Sequence, residues 1–481
     1  MVSTAAPRQH HNVTLVVLAL ACTAFAIQQT MVIPALPVLQ RHLHTTTTWA
    51  TWVLTVFLLV SCVATPILGK LGDQYGKERL LAIALLVFLF GCIGCAVAWN
   101  VASLIAFRAV AGIGGGVFPL AFAIIRDEFP RERVGVGIGL ISATFGVGGG
   151  LGIVLAGLIA DNLNWRWLFV TGSILTALAL GLVHRFVPES PIKTPSRVDY
   201  PGAVLLSLAL VALLVGLSEG SSWGWSSPRV LGLFAVSLAV SVLWGAVERR
   251  VQEPMVDMRM LAHKPVLFTN ITALVAGFAM FGTFVLIPNF VEMPHGLPAA
   301  SARLVHYGFN ASTTRAGLFL LPSSAMLLFS GPLAGRLGLR TGFKWPLAAG
   351  LLFVGGAAGA LVPYHARPWQ IWVGQAVLGI GVGFAFAAMT TLIAENVRPS
   401  EMGVATGMNT VVRSIGGVVG AQVGAALLTT YTIAGSHGLP AVRGFEISFG
   451  IAAAAALLGA ALACFVPEPT RAERDRLFHA A

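Results

Sequence analysis

The chain has 481 residues, of which 56% are apolar and only 10% charged, where an average soluble domain is about 45–50% apolar and about 25% charged. Its mean hydropathy is +0.83, and 30 Lys and Arg outweigh 19 Asp and Glu for a formal charge of +11. So much apolar surface needs lipid as its solvent, which excludes a soluble enzyme, a secreted disulfide scaffold and a disordered tail protein.

In chain order, apolar runs of crossing length are expected at 13–35, 49–69, 80–98, 101–125, 134–160 and 167–187. A pair follows at 202–218 and 229–247, then six more at 265–291, 315–335, 346–364, 368–393, 403–431 and 445–466. Lipid offers backbone amides and carbonyls no partner outside a helix or closed barrel, so runs this long are helices. The fold class is therefore an all-α polytopic membrane protein with fourteen transmembrane helices. The first run is of full crossing length and continues into Pro34 and Pro37, so it is read as a retained helix rather than a secretory leader.

Lys and Arg accumulate in cytoplasmic loops. With the N-terminus inside, cytoplasmic segments hold twenty-one of the thirty basic residues and outer segments seven, while Arg108 and Arg413 fall within helices. Both termini are accordingly expected in the cytoplasm; the high Ala and Gly content fits a bacterial source, for which the expected location is the inner membrane. The same bias accounts for the basic charge without a nucleic-acid partner.

Chemistry-bearing motifs are few. Cys22, Cys62, Cys92, Cys95 and Cys464 all lie in apolar stretches. The Cys92-x-x-Cys95 pair has no second pair to complete a zinc site and reads as small packing residues on successive turns. No cofactor or metal is expected. The absence of an H-E-x-x-H string argues against an intramembrane metalloenzyme, and that of a G-x-x-x-x-G-K-[S/T] loop against an ATP-driven pump.

The chain repeats itself at an offset of about 267 residues. Pro66-Ile-Leu-Gly-Lys-Leu-Gly-Asp-Gln-Tyr-Gly76 returns as Pro332-Leu-Ala-Gly-Arg-Leu-Gly-Leu-Arg-Thr-Gly342. Arg108-Ala-Val-Ala-Gly112 returns as Gln375-Ala-Val-Leu-Gly379, and Gly135-Val-Gly-Ile-Gly139 as Gly403-Val-Ala-Thr-Gly407. The shift spans an even number of crossings, so both copies share one orientation, a known transporter design with the site at the interface between repeats. The expected division is an N-terminal six-helix bundle over 1–187, a linker with two additional helices over 188–264, and a C-terminal six-helix bundle with its tail over 265–481.

At these residues the sequence resembles the major facilitator superfamily, and within it the fourteen-helix drug:proton antiporters. Gly69-Lys-Leu-Gly-Asp-Gln-Tyr-Gly-Lys-Glu-Arg79 matches that family's loop motif, and Arg108 with Gly112 and Gly116 its fourth-helix motif. Asn164-Trp-Arg-Trp-Leu-Phe169, Asp199-Tyr-Pro-Gly202, and Asn409 with Arg413-Ser-Ile-Gly-Gly417 are typical of the subgroup. The resemblance implies a conformational switch at Gly69, Gly72, Asp73, Gly76, Lys77 and Arg79. In it, Asp73 meets the positive end of a helix of the other half, here the one at 403–431. Arg108 and Arg413 are intramembrane charges, costly unless they serve a pathway or scaffold; with Gln28 and Asn409 they are the expected coupling and cavity residues.

Two departures matter. In the fifth helix, Gly149 and Ile153 stand where the family has prolines, which puts the usual kink in doubt. In the first, Ile27-Gln28-Gln29-Thr30-Met31-Val32 replaces the family's Leu-Asp-x-Thr-Ile-Val, so the acid is Gln28, which cannot titrate. None of the nineteen acids falls in the middle of an expected helix. Gln28 is expected to hydrogen-bond near Arg108, leaving a cavity without fixed negative charge that favours neutral or anionic amphipaths over lipophilic cations. Its apolar and aromatic wall is expected from Met31, Phe118, Phe122, Phe145, Asn270, Phe281, Phe384 and Met389. Trp49, Trp165, Trp167, Trp223, Trp225 and Trp369 are read as interfacial anchors.

The function these features imply is secondary active export of drug-like or amphipathic small molecules by alternating access, proton-coupled despite Gln28. Proton-independent or lipid-like substrate movement and a transporter-fold membrane sensor are the alternatives. The expected partners are a small-molecule substrate, protons and membrane lipids, and the chain is expected to act as a monomer.

Overall fold

The fourteen apolar runs all become helices long enough to cross a membrane in the computed structural model, which describes residues 11–45, 47–189, 199–294, 304–398, 401–434, 436 and 439–467. The first crossing comprises α1 (His11–Thr30) and α2 (Val32–His42), stepped at Met31. Pro34 lacks the N–H that would bond the Thr30 carbonyl one turn back, which places the break there. α3 (Thr47–Tyr75) and α4 (Lys77–Ala96) follow. The fourth crossing is α5 (Val101–Gly112) and α6 (Val117–Glu128), joined by a 3₁₀ turn over Ile113–Gly116. Next come α7 (Arg131–Asn162), α8 (Trp167–Phe186), α9 (Tyr200–Trp223), α10 (Pro228–Glu248) and the short α11 (Met258–Ala262). The second half holds α12 (Lys264–Glu292), α13 (Thr313–Thr341), α14 (Lys344–Leu361), α15 (Pro368–Asn396), α16 (Met402–Thr430) and α17 (Val442–Cys464). Among the described residues the β pairing is a single isolated bridge, Thr432 to Pro440.

Helix ends fall where side chains can satisfy the orphan amides of the first turn. Asn100 and Ser103 form a reciprocal capping box on α5. Ser227 caps α10 and Ser312 caps α13. Asp199 does more than cap: Oδ1 accepts from Gly202 N at 2.8 Å, and Oδ2 from Met255 N at 3.4 Å, which ties the start of α9 to the loop leaving α10. This gives the Asp199-Tyr-Pro-Gly202 motif a local structural reason.

The architecture is two groups of six crossings, α1–α8 and α12–α17, with α9 and α10 as an extra pair. Two seams join the groups: α7 lies along α13, and α3 lies against α16. α9 packs on α3 and α16, so it lies beside the second seam, with Thr55 Oγ1 and Ser218 Oγ 3.4 Å apart. α10 packs on α9 and turns Leu231, Val236, Leu238 and Val242 outward, as lipid requires. Two G-x-S-x-G strings, 216–220 and 220–224, fall on the last turns of α9. Neither has the strand–turn–helix setting that a nucleophilic serine uses.

Trp165 corrects one expectation. It is 2% exposed and edge-on to Phe169, with the Arg166 guanidinium 4.6 Å above its ring, so it is a core side chain rather than an interfacial anchor. Trp49, Trp167, Trp223, Trp225 and Trp369 are exposed. Cys92 and Cys95 are free and buried within α4 packing.

Candidate functional site

The loop motif sits where α3 ends, at the end of the bundle richest in Lys and Arg, called the basic end below. Gly76 has a φ of +116°, in the region only glycine occupies freely, and its turn passes the chain from α3 into α4. That turn sets Asp73 on the inner side of the seam. Asp73 Oδ2 accepts from Gly403 N at 3.1 Å, in the first turn of α16. A carboxylate there meets the positive end of the helix dipole. Lys77 is fully buried, ion-paired with Asp127 and 3.7 Å from Asp73. The helices come close enough that a methyl group at Gly69 would collide with the Gly403 carbonyl, and one at Gly72 with Leu120. Of the six expected switch residues, Arg79 alone stands apart, exposed at the surface.

Arg126 completes this end and was missed in the sequence, because a cation in the last turn of a crossing reads as an ordinary loop charge. It donates to Val397 O at 2.7 Å and Arg398 O at 3.4 Å, where α15 ends. A guanidinium suits the negative end of a helix as the carboxylate suits the positive one. Asp73 thus holds the start of α16 while Arg126 holds the end of α15.

The α7–α13 seam is built on glycine. A methyl at Gly139 or Gly331 would strike the other's carbonyl, and one at Gly335 the Gly135 carbonyl. Farther along, Ser324 Oγ donates to Gly146 O at 2.8 Å over Gly150. The opposite face of α7 serves α1: Gly148 faces Ala26, Gly152 faces Thr30, and Thr30 Oγ1 donates to Gly149 O at 3.0 Å. α7 runs as one continuous helix through the positions where the family has prolines.

Two turns into the fourth crossing, Arg108 is completely buried. Its Nε donates to Val53 O at 3.1 Å and Nη1 to Gln28 O at 3.4 Å, and the guanidinium lies 3.9 Å over the Phe57 ring. Gln28 and Arg108 therefore do meet, but through the Gln28 main-chain carbonyl. The Gln28 side chain turns instead to α8, where Nε2 donates to Leu168 O at 2.6 Å in space left by Gly172. This corrects the expected amide–guanidinium pair: bonding to Leu168 gives the amide a buried acceptor that the donor-only arginine also seeks.

A run of aromatic rings links the two groups. Phe57 stacks on Phe25 at 5.3 Å, Phe25 meets Phe118 edge-on at 6.3 Å, and Phe118 meets Phe145 at 5.6 Å. Phe145, on α7, contacts Phe281 of α12 at 6.2 Å and Phe386 of α15 at 5.9 Å. The Arg413 guanidinium lies 4.2 Å over Phe386. Beside it Asn409 Nδ2 donates to Asn270 Oδ1 at 2.9 Å, joining α16 to α12. Among the described residues neither Arg108 nor Arg413 forms an ion pair.

Of the expected wall residues, Phe118, Phe122, Phe145, Phe281, Asn270 and Met389 are on or next to this run. Phe384 is not. It meets Phe353 of α14 and packs with Ala334 and Ala387, because two residues turn a helix by about 200°. Phe386, three residues before Met389 and so on its face, takes the place. Met31 is buried at the α1–α2 step in a cluster drawn wholly from the first group, with Thr171 on its sulfur, and does not reach the seam. Phe25, Phe57 and Phe386 were not singled out from sequence; only the three-residue spacing to Met389 signalled the last.

Comparison with known proteins supplies the rest. The sequence profile of the Major Facilitator Superfamily matches residues 18–421 and, again, 297–480. Multidrug resistance protein 3 of Bacillus subtilis is 30% identical over 377 residues, 77% of this chain and 71% of that protein. The multidrug transporter protein MdtP of the same organism is 28% identical over 77% of this chain and 66% of its own length. Among solved structures, the crystal structure of a human organic anion transporter superposes with a TM-score of 0.65 at 14% identity, covering 94% of this chain and 99% of that one. That likeness shows the fold alone.

Proposed function

Since the chain belongs to the major facilitator superfamily, whose members are multi-pass membrane transporters rather than enzymes, we propose that it exports drug-like, amphipathic small molecules by alternating access. The observation that carries this is the paired closure at the basic end, where Asp73 and Arg126 of one group grip the facing ends of α16 and α15 in the other. Two groups held by a few polar contacts at one end, around an aromatic centre, can rock and open there. The basic end is the cytoplasmic one in this reading, because it carries most of the Lys and Arg. The multidrug names of the Bacillus subtilis relatives support export of drug-like substrates. The bundle division expected from the repeat, at about 187 and 264, gives the two rocking bodies.

Uptake of a fluorescent amphipath into inverted proteoliposomes tests the reading, and protein-dependent accumulation is the expected result. Equal signals from protein-containing and protein-free vesicles, across a panel of amphipaths, would sink it.

A second reading, movement without protons, is favoured by one observation: position 28 is an amide, which cannot titrate, with its nitrogen held by the Leu168 carbonyl. The acids of the described crossings lie toward helix ends, so a proton site within transport has to sit there. Imposing and removing a pH gradient in the same vesicles decides between the two.

A further inference from the structure

We propose that Arg413 binds the charged group of an organic anion with a planar aromatic body, whose ring is received by Phe145, Phe281 and Phe386. This rests on the transport reading above and gives it a substrate class.

The two intramembrane guanidinium groups look alike in sequence but differ in their use. Arg108 is largely spent: Nε and Nη1 hold the carbonyls of Val53 and Gln28, the guanidinium stacks on Phe57 with no exposed surface, and Nη2 alone is left without an acceptor among the described residues. It fastens α5 to α1 and α3. Arg413 shares the cation–π posture, over Phe386, yet makes no hydrogen bond among the described residues while 8% of its surface stays open. A guanidinium carries five N–H donors in a fixed fork. Arg413 keeps that fork partly accessible with no acceptor on it among the described residues, which leaves it open to one that arrives from outside.

Its surroundings say which acceptor. Asn409, one turn earlier on α16, spends its amide nitrogen on Asn270, which leaves the Asn270 amide nitrogen uncommitted among the described residues. Asn270 of α12 is thus fixed to α16 one turn from Arg413 with its own donor still available. Among the described residues no carboxylate pairs with Arg413, so a second cation entering here would meet unbalanced like charge. A carboxylate or sulfonate would meet a bidentate fork. Phe386 lies directly beneath that fork, and Phe145 reaches it edge-on from the other helix group. In this structure those rings touch, with 5.9 Å between the Phe145 and Phe386 centroids, so a flat ring attached to the anion enters between them as the two groups part.

The test uses three probes of one shape: naphthoate, naphthamide and naphthylmethylammonium. Binding is measured on the full chain in nanodiscs of zwitterionic phosphatidylcholine, so that no lipid headgroup supplies the anion. Naphthoate should bind at least about 10-fold more tightly than the ammonium probe. Arg413→Gln should remove that preference by weakening naphthoate far more than naphthamide, while Arg413→Lys keeps part of it because the ammonium lacks the fork. Phe386→Leu should weaken naphthoate and naphthamide alike. Should Arg413→Gln fail to fold, Asn270→Ala takes its place and should lower naphthoate affinity alone. A wild type that binds the ammonium probe as well as naphthoate, or a folded Arg413→Gln that keeps the preference, overturns the assignment. Flux of the same probes separates the two readings. Selective binding with no flux leaves this site and removes transport; flux blind to charge does the reverse.

Discussion

Asp73 Oδ2 and the Gly403 amide are 3.1 Å apart, one at the end of α3 and the other at the start of α16. This bond joins the two helix groups with charge on one side only, because the partner is a helix end. Asp73→Asn keeps the shape and still offers an acceptor, but removes the attraction to the dipole, worth about 0.3–1 kcal/mol and up to about 2 kcal/mol when partly buried. The basic end should then open about 2- to 30-fold more often. Cys62 is a native reporter, since it lies deeper in the same seam beside Ser414. With the other four cysteines replaced, its alkylation should quicken in Asp73→Asn. An unchanged rate would mean that the seam is held by packing alone.

Lys77 raises a stability question. It and Asp127 are both completely buried, so the charges leave water together. Removing one member of such a pair costs about 3–5 kcal/mol, since the other stays desolvated without its opposite charge in direct contact. Lys77→Met should therefore lower the thermal midpoint of the purified protein sharply. Lys77→Met with Asp127→Asn should recover much of the loss. If the double variant is as unstable as the single, the damage comes from lost packing and not from a stranded charge.

The glycines of α7 divide by what they face. Gly139 meets the Gly331 carbonyl across the seam, whereas the nearest atom to a methyl at Gly149 would be Thr30 Cγ2 at 3.7 Å, an ordinary contact. Gly139→Ala should cost about 1–3 kcal/mol through overpacking. Gly149→Ala should be neutral or gain about 0.5–1 kcal/mol, as Gly to Ala does within a helix. Thermal midpoints of both variants check this, and equal losses would show that α7 does not press its two faces differently.

These cases also mark what the sequence made legible. Fourteen helices could be read because lipid permits hardly anything else for apolar runs of that length. Asp73 could be read because its glycine-flanked turn matches the loop motif of the resembling family; the residues alone describe only an acid on a tight turn. The phase of α15 could not. That helix is buried on nearly every side, so its apolar residues define no outward face, and Phe384 and Phe386 look equivalent until packing turns one toward Arg413. Arg126 was hidden for a similar reason, since its partners are main-chain carbonyls at 397 and 398, which have no sequence signature. Gln28 was legible as a departure, but its partner on α8 was not, being 140 residues away.

That partner makes Gln28 the sharpest test of coupling. Its amide nitrogen sits 2.6 Å from the Leu168 carbonyl, a place where a donor is required. In Gln28→Glu, a carboxylate would set oxygen against oxygen at this distance, and only its protonated form can donate there. The variant thus carries a proton-binding group, inside the first crossing, that the wild type lacks at this position. When the groups rock and α1 moves against α8, that proton can be released. Substrate flux by Gln28→Glu should accordingly become steeper with an imposed pH gradient, while wild-type flux responds less. Measured side by side in proteoliposomes, equal responses would show that protons reach transport by another route and that position 28 is only a tie between α1 and α8.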